Sequence, residues 1–478
     1  MITVVGLGVE EGDLTRKGRE AIINAVNAGK PVLVRTANTR SYKNLEELGV
    51  QAVALDYVYE KSRSFQTLNV NLAKAVINAG DGAVYCVDGS AVEDNSVKIL
   101  KKRLKKGLTV VDGVSKISYF AEKAGFSGCS FTAVSAYELE EKKRSLRLPI
   151  LVYDLDGKTL ASDVKLLLSD LFGDETESRF LHFDRVKKIP LYELDRQKDY
   201  GYLTAIAIEE IPLTEKKRFC FEDLLSIIVR LRQPDGCAWD KVQTPQSIKM
   251  NAVEEAYELL DAIDLDDPSK ILEETGDVIL QAAFHAVMQE ERGEFNATDV
   301  LSELCGKLIF RHTHIFGNDK ATDEASALGV WEKNKMKEKH QNTFADSVND
   351  VPKAFPAALR AQKVGKRAAK AGLDFSCVED AVARLREELQ EFLQAKESGD
   401  KAKISEEFGD LLFSAINVGR LAGVDAELAL KESTDKFARR FTKAEALALA
   451  DGKNVLKLTE KEWDGYYLTA KSLLKKEN

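Results

Sequence analysis

The 478-residue chain has only five histidines and three tryptophans, and its six cysteines stand apart. Cys86, Cys129, Cys220, Cys237, Cys305 and Cys377 form no CxxC pair and no cysteine–histidine set at metal spacing. A zinc-type centre is therefore excluded, and reduced thiols in a cytoplasmic protein are expected. No apolar run approaches the ~20 residues that a membrane-spanning helix needs. The first residues, Met1 to Gly6, lack a basic stretch ahead of an apolar one and read as a β-strand, not a secretory leader. There is no GxxxxGK[ST] sequence, so a P-loop mechanism is not indicated. The net charge of -9 supplies no cationic excess for nucleic acid or an anionic membrane surface.

What remains is an ordinary globular composition, 44% hydrophobic and 31% charged. The length predicts about three domains. Up to residue 213, β-rich runs (2–5, 32–35, 83–87, 109–111, 150–153, 179–183 and 203–208) alternate with helical ones such as 16–27 and 163–172. That alternation predicts an α/β domain with a largely parallel sheet over residues 1–213. The charged stretch 214–218 reads as a linker. Beyond it the apolar spacing becomes helical, as in 221–232, 247–263 and 271–290.

The helical half repeats itself. Glu254-Glu255-Ala256-Tyr257-Glu258 returns as Glu387-Glu388-Leu389-Gln390-Glu391, and Glu273-Glu274-Thr275-Gly276-Asp277 returns as Glu406-Glu407-Phe408-Gly409-Asp410. Both are displaced by 133 residues, the spacing of a duplicated domain. Two all-helical modules are expected, residues 219–345 and 350–472.

Glu255 and Glu258 share one helix face, as do Glu274 and Asp277 on the next helix. Asp266-Asp267-Pro268 turns the chain between them, so the helices should run antiparallel and bring four carboxylates together. Such like charges repel by ~0.2–0.5 kcal/mol per pair even when solvated, and burial sharpens the repulsion unless a cation is present. Oxygen-only ligands suit Mg²⁺ or Mn²⁺. The helix after Asp277 is apolar on most sides, with Asp277, Gln281 and His285 as a thin polar stripe. Asp410, Ser414 and Asn417 repeat it. A lone EExxE is as well explained by a solvated helix face. Two copies at one spacing, each leading into an apolar helix, are not.

These motifs resemble the EExxE and ExxD signature of the MazG-type nucleotide pyrophosphohydrolases. Gly236-Cys237-Ala238-Trp239-Asp240 with Gln243-Thr244 is similar to that family's GCPWDxxQT, and residues 307–316 to its KxxxRHPHVF. Gly372-Leu373-Asp374-Phe375 and Lys436-Phe437-Ala438-Arg439-Arg440-Phe441 are similar to its GFDW and KFERRF. The resemblance implies metal ligands Glu255, Glu258, Glu274 and Asp277 in the first module and Glu388, Glu391, Glu407 and Asp410 in the second. It implies outer, water-positioning carboxylates at Glu254 and Glu387. Lys307, Arg311, Lys436 and Arg440 would hold triphosphate oxygens, with Trp239, Trp331 and Trp463 bordering the nucleotide. Cleavage would fall between the α and β phosphates, in a homodimer.

Over residues 1–212 the resemblance is to the tetrapyrrole methylase-like fold, which binds S-adenosylmethionine. Residues 5–15 stand for its VGxGPGxxxxLT, Asp88-Gly89-Ser90-Ala91 for PGxP and Asp112-Gly113-Val114-Ser115 for PGxS. Gly6, Gly8, Asp88, Gly89, Ser90 and Ser115 are then the cofactor-binding candidates. The departures are Val9-Glu10 for Pro-Gly, Asp88 for the first proline and Ala91 for the second. A dinucleotide-binding reading fits less well, because Glu11 stands where a third glycine is needed. The whole arrangement resembles a fusion of such a domain with tandem MazG modules. Three readings stay open: a nucleoside triphosphate pyrophosphohydrolase, an S-adenosylmethionine-dependent methyltransferase with accessory helices, and a catalytically silent nucleotide-sensing scaffold.

Overall fold

The computed structural model describes residues 1–341 and 343–475. The chain separates into two compact units, Met1–Phe295 and Asn296–Asn478. That division falls inside the stretch expected to form the first helical module.

The first unit opens with a parallel sheet of β1 (Ile2–Gly6), β2 (Val32–Val34), β3 (Val53–Ala54), β4 (Val84–Val87) and β5 (Leu108–Val111), in spatial order β3-β2-β4-β1-β5. Strands covered on both faces need unbroken apolar runs. Val4, Val5, Tyr85, Cys86 and Val87 are accordingly buried. Helix Arg16–Asn27 packs Ile22 and Ala25 on one face with Val32 and Val34, and helices Phe65–Asn78 and Asn95–Leu104 pack Leu72, Val76 and Leu100 on the other. Thr15 caps the first helix by accepting from the Gly18 N–H.

A second sheet follows, of β6 (Thr132–Ser135), β7 (Ile150–Tyr153), β8 (Glu177–His182), β9 (Arg185–Pro190) and β10 (Thr204–Ile208), in order β6-β7-β10-β8-β9. Here only β6 and β7 run parallel. The expectation of a largely parallel sheet thus holds through residue 111 and fails after it. The cause is local. Phe183-Asp184, with Phe183 at φ 50°, joins β8 to β9, and so short a link makes a hairpin, whereas a parallel pair needs a long crossover. β9 is also invisible to apolar patterning, because it is an edge strand rich in Arg185, Lys187 and Lys188.

Three helices complete the first unit: α1 (Phe221–Arg232), α2 (Asn251–Asp264) and α3 (Pro268–Glu291). Ile228, Ile248, Ala283, Phe284, Val287 and Met288 form their core. The second unit is helical, with α4 (Ala297–Arg311), α5 (Glu324–Glu338), α6 (Ala357–Ala369), α7 (Val378–Ser398), α8 (Lys401–Leu421), α9 (Ala426–Ala450) and α10 (Glu460–Leu474) as its main elements.

The sequence repeat is visible in the turns. Asp267 caps α3 by accepting from the N–H groups of Ser269 and Lys270, and Asp400 caps α8 from those of Ala402 and Lys403. Each turn passes through a left-handed residue, Asp266 in one and Gly399 in the other. The second helix of each pair, apolar on most sides, is only partly buried. In α3 the C-terminal half is buried, but Leu272 is 77% exposed. In α8 the polar stripe members Ser414 and Asn417 are buried, while Leu412 and Phe413 are exposed. The stripe turns inward and leaves the apolar side uncovered within one chain.

Candidate functional site

Helices α2 and α3 bring the first set of acids together. Carboxylate oxygens of Glu255, Glu274 and Asp277 lie within 4.8 Å of one another. Burial raises the Glu255 carboxyl above its ordinary range, and Asp277, Glu258 and Glu254 add to the shift while the amide of Gln281 opposes it. Gln281 Nε2 donates to Glu255 Oε1 at 3.4 Å. The Glu274 carboxyl is also raised, by partial desolvation and then by Glu258, Glu273, Asp277 and Glu255. Glu258 is therefore close enough to be felt by both, although its exposed side chain stands outside the tight group. Glu254 is exposed beside the cluster.

Helices α7 and α8 build the second set. Carboxylate oxygens of Glu388, Glu391 and Glu407 lie within 4.8 Å of one another. Asp410 is outside this group but contributes, after burial and Glu391, to raising the Glu388 carboxyl. Glu388 is 4% exposed, and its Oε2 is buried without a hydrogen-bond partner. A buried carboxylate oxygen left unpaired is costly, and a hard cation would satisfy it. The donor set in both clusters is oxygen alone, which fits Mg²⁺ or Mn²⁺. Sequence reasoning missed one residue here. Arg384, one turn ahead of Glu388 on α7, holds Glu388 Oε1 at 2.7 Å and Glu387 Oε2 at 3.0 Å. Its signal was the i, i+4 spacing to Glu388, set against Asn251 at the corresponding place in the first copy.

The substrate-binding candidates divide unevenly. Arg311, on α4, gives its guanidinium fork to Glu338 at 2.6 and 3.0 Å and lies 5.3 Å over the Trp331 ring. Lys307 pairs with Glu303 at 3.4 Å. On α9, by contrast, neither Lys436 nor Arg440 has an ion-pair partner among the described residues. Trp463, on α10, stacks on Phe441 with ring centroids 5.3 Å apart. Trp239 is 59% exposed, in the loop after α1.

The cofactor candidates of the α/β domain cluster at the carboxyl ends of β1, β4 and β5, where ligands of such sheets bind. Their polar atoms satisfy one another. Gly8 and Gly89 form a backbone bridge, and a Cβ on Gly6 would meet Gly113 N at 2.6 Å, so these glycines serve loop packing. Asp88 accepts from Ser41 at 2.8 Å, Ser90 donates to Asp112 at 2.6 Å, and Ser115 donates to Glu93 while capping helix Lys116–Lys123. The adjoining cavity, about 380 Å³, is lined by Arg35, Asp88, Asp94, Lys116, Tyr137 and Asp154 among others. Two of its cations are paired, Arg35 with Asp94 at 2.7 Å and Lys116 with Asp154 at 3.2 Å and Asp88 at 3.8 Å, while Arg63, which also lines it, has no ion-pair partner among the described residues. Among the described residues no unpaired buried polar atom lies in these loops for S-adenosylmethionine to satisfy. Burial works against the Lys116 charge, but Asp154 and Asp88 more than offset it and hold the ammonium protonated. Lys116→Met should therefore destabilise the domain by about 3–5 kcal/mol, the cost of stranding buried partners. Urea unfolding measures it, and a loss under 1 kcal/mol contradicts the pairing.

A family model described as the MazG nucleotide pyrophosphohydrolase domain matches residues 243–316 and 378–444. Over 98% of its length the chain is 33% identical to the uncharacterised protein YabN of Bacillus subtilis, covering 98% of that protein. It is 39% identical over 48% of its length to a nucleoside triphosphate pyrophosphohydrolase of Escherichia coli, covering 88% of it. It is also 39% identical over 52% of its length to the nucleoside triphosphate pyrophosphohydrolase/pyrophosphatase MazG of Thermotoga maritima, covering 95% of it. Among solved structures, a uroporphyrin-III C-methyltransferase from Thermus thermophilus complexed with S-adenosyl homocysteine matches 44% of this chain and 97% of its own, at 18% identity and a TM-score of 0.33. No described helix is long and apolar enough to cross a membrane. With both acid pairs in the matched segments and full-length identity to a relative of the same extent, the chain belongs to the MazG nucleotide pyrophosphohydrolase family.

Proposed function

We propose that the chain is a divalent-metal-dependent nucleoside triphosphate pyrophosphohydrolase, converting a nucleoside triphosphate and water to the monophosphate and pyrophosphate. The observation that carries this reading is the pair of acid clusters built on one repeated helix–turn–helix, one of them with a buried carboxylate oxygen left unpaired. The names of the relatives from Escherichia coli and Thermotoga maritima support the same substrate class.

Glu255, Glu258, Glu274 and Asp277 would hold metal in the first module, and Glu388, Glu391, Glu407 and Asp410 in the second. Bound there, Mg²⁺ or Mn²⁺ neutralises phosphate oxygens and acidifies the attacking water. Glu254 and Glu387, next to the ligands, orient that water and accept its proton. Lys436 and Arg440, one helical turn apart and without ion-pair partners, take the triphosphate oxygens and stabilise charge on the leaving pyrophosphate. Trp463 and Phe441 provide an aromatic edge for the nucleoside. In the first module the corresponding Arg311 is already committed to Glu338, so the second module has the more available phosphate-binding cations. The test is turnover of each ribo- and deoxyribonucleoside triphosphate with Mg²⁺. Monophosphate and pyrophosphate in equal amounts from at least one of them are expected, and no release from any in folded protein would sink the reading.

We also propose a homodimer. Leu412 and Phe413 are 50% and 40% exposed on α8 and border an apolar groove of about 680 Å³ with Ala357, Ala361, Ile416 and Leu430. Exposed apolar surface of this kind marks an association face. Leu412→Glu with Phe413→Asp should convert a dimer to a monomer in analytical ultracentrifugation. A wild-type monomer at micromolar concentration contradicts the proposal.

A further inference from the structure

The two acid clusters share one design and differ in one charge. In the second, Arg384 lies beside Glu388 and Glu387. In the first, the residue one turn ahead of Glu255 is Asn251, and Glu255 receives only the neutral amide of Gln281. Among the described residues no lysine or arginine comes within ion-pair distance of Glu255, Glu258, Glu274 or Asp277. A fixed positive charge thus stands at one cluster and not at the other.

Two effects of such an arginine oppose each other. A hydrogen bond to a ligating carboxylate orients it and strengthens metal binding. A guanidinium a few ångströms from a metal site repels the incoming cation and has already neutralised part of the charge that attracts it. Burial decides between them. Glu388 is fixed on nearly all sides, at 4% exposure, and needs little further orientation. The Arg384 side chain is 44% exposed and has no other ion-pair partner among the described residues. Its Coulomb effect should therefore dominate.

We infer that Arg384 is a built-in counter-ion that makes the two metal centres unequal, the second binding a divalent cation more weakly than the first. This rests on the reading of both clusters as metal centres. At limiting metal the first module loads first, and the second fills only as the cation concentration rises. The full-length protein thereby responds to metal over a wider range than two equal sites would.

The test is Mn²⁺ titration of the full-length chain, with free ion followed by electron paramagnetic resonance. Glu255→Gln with Glu274→Gln leaves the second centre alone, and Glu388→Gln with Glu407→Gln leaves the first. The first should bind about tenfold more tightly, the scale on which neighbours of ligating carboxylates change metal affinity. Adding Arg384→Met to the chain that keeps only the second centre should tighten it by a similar factor, whereas Arg384→Lys should leave it weak. Arg384→Gln is the substitute should the methionine variant misfold by circular dichroism. Equal affinities of the two centres overturn the inference and leave the metal reading intact, as does a second centre that the neutral variants weaken or leave unchanged. No Mn²⁺ bound by either chain overturns both.

Discussion

Replacing Glu255 and Glu388 together by glutamine is expected to lower nucleotide hydrolysis by at least about 10²–10³-fold, the loss typical of deleting one electrostatic element of an active site. Each is the central acid of its cluster. The Glu255 carboxyl is raised in part by Asp277 and itself raises that of Glu274, and the Glu388 carboxyl is raised in part by Glu391, Asp410 and Glu407. Glutamine keeps the shape and removes the charge, so the fold should survive. It also relieves repulsion among neighbouring carboxylates. Lost turnover would then report lost chemistry, with circular dichroism as the check. The single variants divide the activity. If Glu388→Gln removes most of it, turnover belongs to the module whose Lys436 and Arg440 are unpaired. If Glu255→Gln does, it belongs to the first. A double variant that retains wild-type turnover would place the chemistry elsewhere.

The second large effect is on stability. Clustered acids destabilise the metal-free fold, and a cation that binds only the folded state stabilises it by mass action. At a Mg²⁺ concentration 100-fold above its dissociation constant the gain is about 2.7 kcal/mol. For units of this size that corresponds to a rise in Tm of roughly 5–10 °C. Chelation should reverse it and stop hydrolysis, and Mn²⁺ should restore both. The chain carrying Glu255→Gln and Glu388→Gln should show little rise. An equal rise in that chain would mean that the ion acts at some other place.

The acid clusters were legible because helical geometry converts spacing into proximity, and because the 133-residue repeat separates a design from a chance run of glutamates. The first turn was legible as well, because Asp267-Pro268 marks a helix start, and the structure builds Gly399-Asp400 in the same way. Other features depend on tertiary partners that no local pattern encodes. The commitment of Arg311 to Glu338 joins α4 to α5 across 27 positions. The pairing of Ser90 with Asp112 and of Ser115 with Glu93 ties together the loops expected to cradle a cofactor. The antiparallel part of the second sheet follows from a short hairpin link and a charged edge strand, both silent in an apolar profile. Arg384 was readable in principle, since its spacing to Glu388 is a plain i, i+4 pair, but only comparison with Asn251 gives it meaning.

The most direct test of the central claim is ³¹P nuclear magnetic resonance of the products, recorded as the full-length chain acts on a nucleoside triphosphate in Mg²⁺. The β-phosphate signal of the triphosphate should disappear as monophosphate and pyrophosphate form in equimolar amounts, the pyrophosphate signal having twice the intensity because it holds two equivalent phosphorus atoms, and the chain carrying Glu255→Gln and Glu388→Gln should leave the spectrum unchanged. Nucleoside diphosphate and orthophosphate as the products, or turnover that survives in the double variant, would contradict that claim.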